Sequence, residues 1–307
     1  MQRGEKIKQF LGQLKDGHCA KGSQGDAFFV EDENGKKYIL KKYVNADAFK
    51  GKKDFLVSMR GLREASLEAI EDGVKVPRIY DYDILPGEDG PCYAVLERKM
   101  PGNPIYMVRE DNVPGERTKE LWAHYNKACR EKDSYKICSA YNELRFNLIA
   151  YNLRRQDQLL SAPQSTFDRL MEDLFALEVK NQKIDVDPFP ENLLFNNKTQ
   201  RFSFIDLAYE PNRDIPLDHV NTLWKLVSFT SLFEHKICKD EFLYEKERLL
   251  KNEFLIQKKV IDTIENHGLL YTESVRRKNN MLTGLSYTCT KEILSELDNR
   301  VAVRSVR

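Results

Sequence analysis

The sequence has no apolar run long enough to cross a membrane. Its best stretch, from Thr222 to Phe233, is short and carries Lys225, whereas a spanning helix needs roughly 20 apolar residues. An excess of charge of either sign is also missing. With 49 basic and 48 acidic side chains the formal net charge is +1, so nothing in bulk directs the chain to nucleic acid or an anionic bilayer. Cysteine is sparse, six residues without a C-x-x-C pair, and the five histidines form no H-E-x-x-H array. That excludes the usual zinc and disulfide frameworks and fits reduced thiols in a cytoplasmic protein. The start, Met1-Gln2-Arg3-Gly4-Glu5, carries no apolar stretch, so export by a signal peptide is not expected.

What is present is a globular composition, 41% apolar and 32% charged over 307 residues, enough for one large domain or two medium ones. Ile7, Phe10, Leu11 and Leu14 fall at helical spacing and predict one amphipathic helix. Strands are expected at Asp26–Glu31 and Lys36–Val44, with Asn34-Gly35 as a hairpin turn because both residues tolerate positive φ. A helix over Phe55–Ile70, stopped by Gly73, precedes strands at Val76–Tyr82 and Cys92–Arg98. The Pro/Gly cluster Met100–Pro104 reads as a linker. Helices follow over Glu116–Glu131, Tyr135–Leu160 and Ser165–Lys180, the last with Ser165 as its cap. A strand island comes next, Leu193–Asn196 and Phe202–Asp206, and then a helical tail from Asp218. The expected fold is α+β and bilobal. A small antiparallel-sheet lobe spans residues 1–102, and a larger mainly helical lobe spans residues 103–307. The latter carries a helical insert over about 105–183 and a hairpin at 184–210. A small ligand is expected between the lobes.

Candidate chemistry concentrates in Ile184-Asp185-Val186-Asp187-Pro188-Phe189-Pro190-Glu191-Asn192, with Asp206 standing 14 residues after Asn192. Asp187, Asn192 and Asp206 are oxygen donors that a hairpin can gather, a set suited to magnesium. One carboxylate, Asp187, is left over to accept a proton from a hydroxyl. Each alone is more simply a turn, cap or strand-end residue. Three upstream features join them. Gly22, Ser23 and Gly25 lie in Ala20-Lys21-Gly22-Ser23-Gln24-Gly25, between strands, where missing Cβ atoms let N–H groups approach phosphate. Lys41 sits in the otherwise apolar Tyr38-Ile39-Leu40-Lys41, which calls for a counter-charge. The next helix carries Glu64 and Glu68, either of which can supply it.

Taken together these motifs resemble the protein-kinase-like superfamily, in the right order over residues 17–210. The specific part is Asp187-Pro-Phe-Pro-Glu-Asn192, which is similar to the catalytic loop and runs on into Leu193-Leu194. The resemblance implies an ATP site with magnesium, or manganese, as the ion. It implies that Lys41 contacts the α- and β-phosphates and that the loop at Gly22, Ser23 and Gly25 covers them. Asp187 would act as base, and Asn192 and Asp206 would hold the metal. The backbone at Glu97 and Arg98 would meet the adenine. Glu64, in Arg-Glu-Ala ahead of Val76-Pro77-Arg78, fits the aminoglycoside and choline kinase branch and is preferred over Glu68 as the partner of Lys41.

The departures are specific. Ala20 replaces the first glycine, Asp185 and Val186 replace His-Arg, Phe189 replaces a γ-phosphate lysine, and Leu207-Ala208 replaces Phe-Gly. The implied activity is transfer of a γ-phosphoryl group to a hydroxyl, with protein Ser/Thr slightly favoured over a small-molecule alcohol. A nucleotide-binding pseudokinase scaffold is the alternative outside catalysis. From Ile105 to Ile184 there are 13 basic and 12 acidic residues, so the insert offers no acidic face for a polycationic acceptor. In style the chain resembles atypical bacterial kinases, including those delivered into a host.

Overall fold

The computed structural model describes residues 4–14, 19–21, 25–43, 51–87, 90–107, 109–177, 184–187, 189–209 and 243–266. The chain divides into two compact units. One holds Met1–Gly102, Asp173–Asp187 and Phe202–Leu217, the other Asn103–Glu172, Pro188–Arg201 and Asp218–Arg307. The expected Gly22 and Ser23, the segment 210–242 and the tail from residue 267 lie outside the described residues.

The first unit is built on an antiparallel five-stranded sheet. Its strands are β1 (Cys19–Lys21), β2 (Gly25–Glu31), β3 (Lys37–Tyr43), β4 (Ile79–Gly87) and β5 (Gly90–Arg98), in the order β1-β2-β3-β5-β4. Side chains alternate across it as a pleat requires. Val30, Tyr38, Leu40, Ala94 and Leu96 fill one face together with Ile7 and Phe10 of the short helix α1 (Glu5–Phe10). Burying those two α1 side chains, which are 0% and 2% exposed, contributes about 1.5–3 kcal/mol each. The predicted helix tightens into a 3-10 turn at Leu11–Leu14. Three residues per turn replace 3.6 there, so Leu11 leaves the expected apolar face and is 36% exposed.

α1 is tied to the sheet by Asp81. One oxygen accepts from the backbone of Gly4 at 3.0 Å, the other from Lys6 and Ile7 at 3.0 and 3.2 Å. A bulge makes this contact. Ile79 pairs with Glu97 but Asp81 pairs with Leu96, and the extra residue turns Asp81 onto the face that α1 covers.

The opposite face carries Tyr82, Tyr93 and Val95, and α2 (Lys52–Glu71) covers it with Phe55, Met59, Leu62, Ala65 and Ala69. Phe55 packs its ring on Tyr93 with centroids 5.0 Å apart. Gly73 ends α2 as expected, at φ +86. Its N–H donates to the Ile70 carbonyl and that of Val74 to Ala69, the paired closure that favours glycine. The β2–β3 turn differs from expectation. Gly35 has positive φ but Asn34 does not. The Asp32 carboxylate instead accepts from the N–H groups of Asn34 and Lys36 and closes a longer loop.

The second unit is helical. α3 (Glu116–Glu131) turns through Lys132 at φ 55 into the 28-residue α4 (Ser134–Ser161), which Asp133 caps by accepting from the N–H groups of Tyr135 and Lys136. α5 (Gln164–Phe175) starts one residue before the expected cap Ser165, and the Pro163 carbonyl takes the Thr166 N–H; the expected end at Lys180 lies outside the described residues. α6 (Leu243–Asn266) lies against α4. Arg248 and Asn252 bond Asp157, and Lys259 donates to the carbonyls of Leu160 and Ala162, a cation at the C-terminus of α4. Arg155, 3% exposed, donates to the carbonyls of Asn103, Pro104 and Phe195. It thereby braces β6 (Asn103–Pro104) against β8 (Leu193–Asn196), its antiparallel partner. No helix among the described residues is long and apolar enough to cross a membrane.

Candidate active site

Lys41 is the centre of the site. It leaves β3 on the face shared with Val95 and Glu97, because Lys41 pairs with Val95 and Ile39 with Glu97 in the β3–β5 ladder. Its ammonium lies 3.1 Å from Glu97 Oε1 and 3.1 Å from Asp206 Oδ1. Its side chain is 17% exposed and that of Glu97 10%, whereas Asp206 is half open at 53%. Burial pulls the Lys41 pKa down, but Glu97, Tyr43 and Asp206 outweigh it and the net direction is up. Burial pushes Glu97 up, offset in part by Lys41. The Tyr43 phenol beside them is pushed up to about 12, mainly by burial. At neutral pH the ammonium is therefore retained, held by a buried carboxylate on one side and an accessible one on the other.

Asp206 reaches Lys41 through a break in the chain. The expected single strand Phe202–Asp206 ends at Phe204 in β9 (Arg201–Phe204). Asp206 then takes a left-handed conformation, φ 59, that aspartate tolerates better than most side chains. The chain resumes as β10 (Leu207–Tyr209), which pairs with β7 (Ile184–Val186). Leu207 faces Val186 across that ladder, so Asp206 and Asp187, which flank the pair, leave the ladder at the same end. Asp187 is exposed. β10 also packs on α2: a Cβ on Gly61 would stand 2.3 Å from the Tyr209 ring, so glycine is required there. In the second unit, Asn192 ends a 3-10 turn, Pro190–Asn192, and donates its N–H to the Phe189 carbonyl at 2.9 Å. The Phe189 side chain stands 46% exposed.

Several expectations change. Glu64 is not the partner of Lys41: it is an exposed helix residue paired with Arg60 at 3.3 Å. Glu68 is likewise exposed. The counter-charge comes from Glu97 instead. Arg98 does not offer a backbone donor to an adenine, because its N–H donates to the Arg78 carbonyl at 2.9 Å inside the sheet. Gly25 has a structural reason of its own. A Cβ there would meet the Lys42 carbonyl oxygen at 2.1 Å, so the β2–β3 ladder itself demands glycine. Sequence reasoning missed Glu97 and Tyr43 as neighbours of Lys41. The available signal was a lone glutamate in the apolar Tyr93-Ala94-Val95-Leu96-Glu97, matching a lone lysine in the facing strand.

Among the described residues no cluster of three His, Cys, Asp or Glu side chains stands ready for a metal ion. The half-open Asp206 carboxylate of the first unit is a hard oxygen donor, and the Asn192 amide of the second unit carries another. Each is of a kind that magnesium accepts alongside water and phosphate oxygens.

No protein-family model and no curated protein matches the sequence. Among solved structures, amicoumacin kinase hAmiN in complex with AMP-PNP, Ca2+ and Ami matches over 95% of this chain and 93% of that chain, at 13% identity and a TM-score of 0.37. WaaP in complex with acyl carrier protein matches over 92% and 98%, at 13% identity and a TM-score of 0.39. The elements implied by the protein-kinase-like resemblance, a small antiparallel sheet with one long helix and a larger helical part, are those the chain has. Its chemistry has to be carried by its own residues.

Proposed function

We propose that the chain is an ATP- and divalent-metal-dependent phosphotransferase acting on a hydroxyl group. The observation that carries this is the meeting of Lys41 and Asp206, 165 residues apart in sequence and 3.1 Å apart in space. Phosphoryl transfer requires a retained cation beside an accessible carboxylate. Lys41 neutralises phosphate oxygens of the nucleotide. Asp206 and Asn192 are assigned to the ion, which when bound supplies further positive charge at the transferring group. The backbone of the Gly22–Gly25 loop is assigned to the phosphates. Asp187 orients the acceptor hydroxyl and takes its proton. The acceptor oxygen forms its bond to the γ-phosphorus while the bond from that phosphorus to the β,γ-bridging oxygen breaks, and ADP leaves. The acceptor hydroxyl belongs to a protein serine or threonine or to a small-molecule alcohol.

Purified protein incubated with labelled ATP, magnesium and a cell lysate is expected to label a protein or a metabolite, and reading the two fractions separately identifies the acceptor class. Asp206→Ala and Lys41→Met are expected to lose the label while keeping the fold. Equal labelling by the wild type and both variants refutes the assignment.

A further inference from the structure

A lysine that serves phosphate needs a counter-charge that stays with it when the other carboxylate turns to a metal ion. Asp206 is the carboxylate assigned to that ion, so it cannot fill this role throughout a reaction cycle. The partner that can is Glu97. Lys41 faces Val95 across the ladder, and Glu97 lies two residues further along β5 on the same face, a diagonal within reach of two long side chains. Both strands are held on both flanks, β3 between β2 and β5, and β5 between β3 and β4. The Lys41–Glu97 pair is therefore built into one sheet with no hinge between its members. α2 covers this face, but its glutamates do not enter the pair: Glu64 is 65% exposed on Arg60 and Glu68 points outward.

We infer that Glu97 is the positioning residue for Lys41, and that the phosphate-binding cation is set by the sheet itself rather than by the placement of α2. This rests on the proposed phosphotransferase reading and adds a statement about its regulation. A displacement of α2 leaves the ammonium charged and aimed, so the site carries no switch of the kind a helix-borne carboxylate would create. When Asp206 takes the metal ion, Lys41 keeps one buried carboxylate, stays protonated and is free to turn one N–H towards phosphate. The groups facing the ammonium are Glu97 on β5, Tyr43 on β3 and Asp206 before β10.

The test compares Glu97→Gln, Glu97→Asp and Glu64→Gln in the full chain. Glu97→Gln keeps the length and the burial of the side chain but removes the charge that holds the ammonium in place. Turnover at pH 8 is expected to drop about tenfold or more, with KM for ATP changed less than about threefold. Glu97→Asp is expected to recover part of the rate, and Glu64→Gln to match the wild type. A wild-type rate in Glu97→Gln, or a loss in Glu64→Gln, overturns the inference. A second readout does not depend on activity. The NMR signal of the 13C-labelled Lys41 ε-methylene at neutral pH is expected to shift and broaden in Glu97→Gln and stay put in Glu64→Gln, and an unchanged signal in Glu97→Gln overturns the inference. If no protein transfers phosphate, the phosphotransferase reading fails while this signal still decides the role of Glu97. Should Glu97→Gln not fold, the pairing predicts that Lys41→Met/Glu97→Gln regains stability, and an equally unfolded double variant refutes it.

Discussion

Replacing Asp81 by alanine is expected to loosen α1 from the sheet, and its size follows from four backbone donors that share one buried carboxylate. Gly4 and Tyr82 donate to Oδ1, Lys6 and Ile7 to Oδ2, all at 3.0–3.2 Å. Losing a helix cap costs about 1 kcal/mol, up to about 2 in proteins. Donors left unmade in a buried place add about 1–3 kcal/mol. The contributions overlap, so a loss of about 2–3 kcal/mol is expected. The ceiling is the burial of Ile7 and Phe10, about 3–6 kcal/mol together, at which α1 would leave the sheet altogether. Because both oxygens accept, Asp81→Asn is expected to be nearly as damaging: one of them becomes an NH2 group aimed at a donor. The assay is a urea titration paired with amide hydrogen exchange at Lys6 and Ile7. The midpoint should fall with an unchanged slope, and those amides should exchange faster than the β3–β5 ladder. A loss below about 0.5 kcal/mol with wild-type exchange at Lys6 and Ile7 would refute the anchoring role.

Gly25→Ala forces a Cβ against the Lys42 carbonyl; a loss of about 1–3 kcal/mol is expected in a thermal melt without nucleotide, which a purely phosphate-binding glycine would not produce. Gly61→Ala should cost a similar amount through the Tyr209 ring, and Tyr209→Ala in the same chain should recover most of it in the same melt. Arg155→Lys replaces a planar fork that serves three carbonyls by a single ammonium, and about 2–4 kcal/mol should be lost in denaturant unfolding. The Asp133 pKa is held below its ordinary 3.8 first by the Lys136 backbone N–H, then by the Lys136 charge and the Tyr135 N–H. A depressed carboxylate stabilises above its unfolded pKa and loses that contribution as pH falls through the folded one. The N-terminus of α4 should therefore fray on acidification, followed by NMR shifts of Tyr135 and Lys136, and Asp133→Asn should remove that dependence.

Local periodicity made much of the chain legible. The α3 segment Glu116–Glu131 and the strand Leu193–Asn196 are found at the residues expected. Gly73 stops α2 because only a left-handed residue closes that end, a demand local to the turn. What escaped depends on distant partners. Asp81 reads as an ordinary strand residue until the bulge at Tyr80 turns it to a helix 75 residues away. The end of β9 at Phe204 and the separate β10 from Leu207 were hidden because β10 pairs with β7, in a different sheet from β9. Lys41 announced its need for an anion, but two exposed glutamates on α2 sat at plausible spacing. Only the strand register shows that Glu97 shares its face.

Arg155 has a mechanical consequence. One guanidinium grips the main chain at residues 103, 104 and 195, joining the end of the Pro/Gly linker to the strand that leads away from Asn192. Those two stretches travel as a single piece, so a push on the linker is delivered at once to the strand beside Asn192.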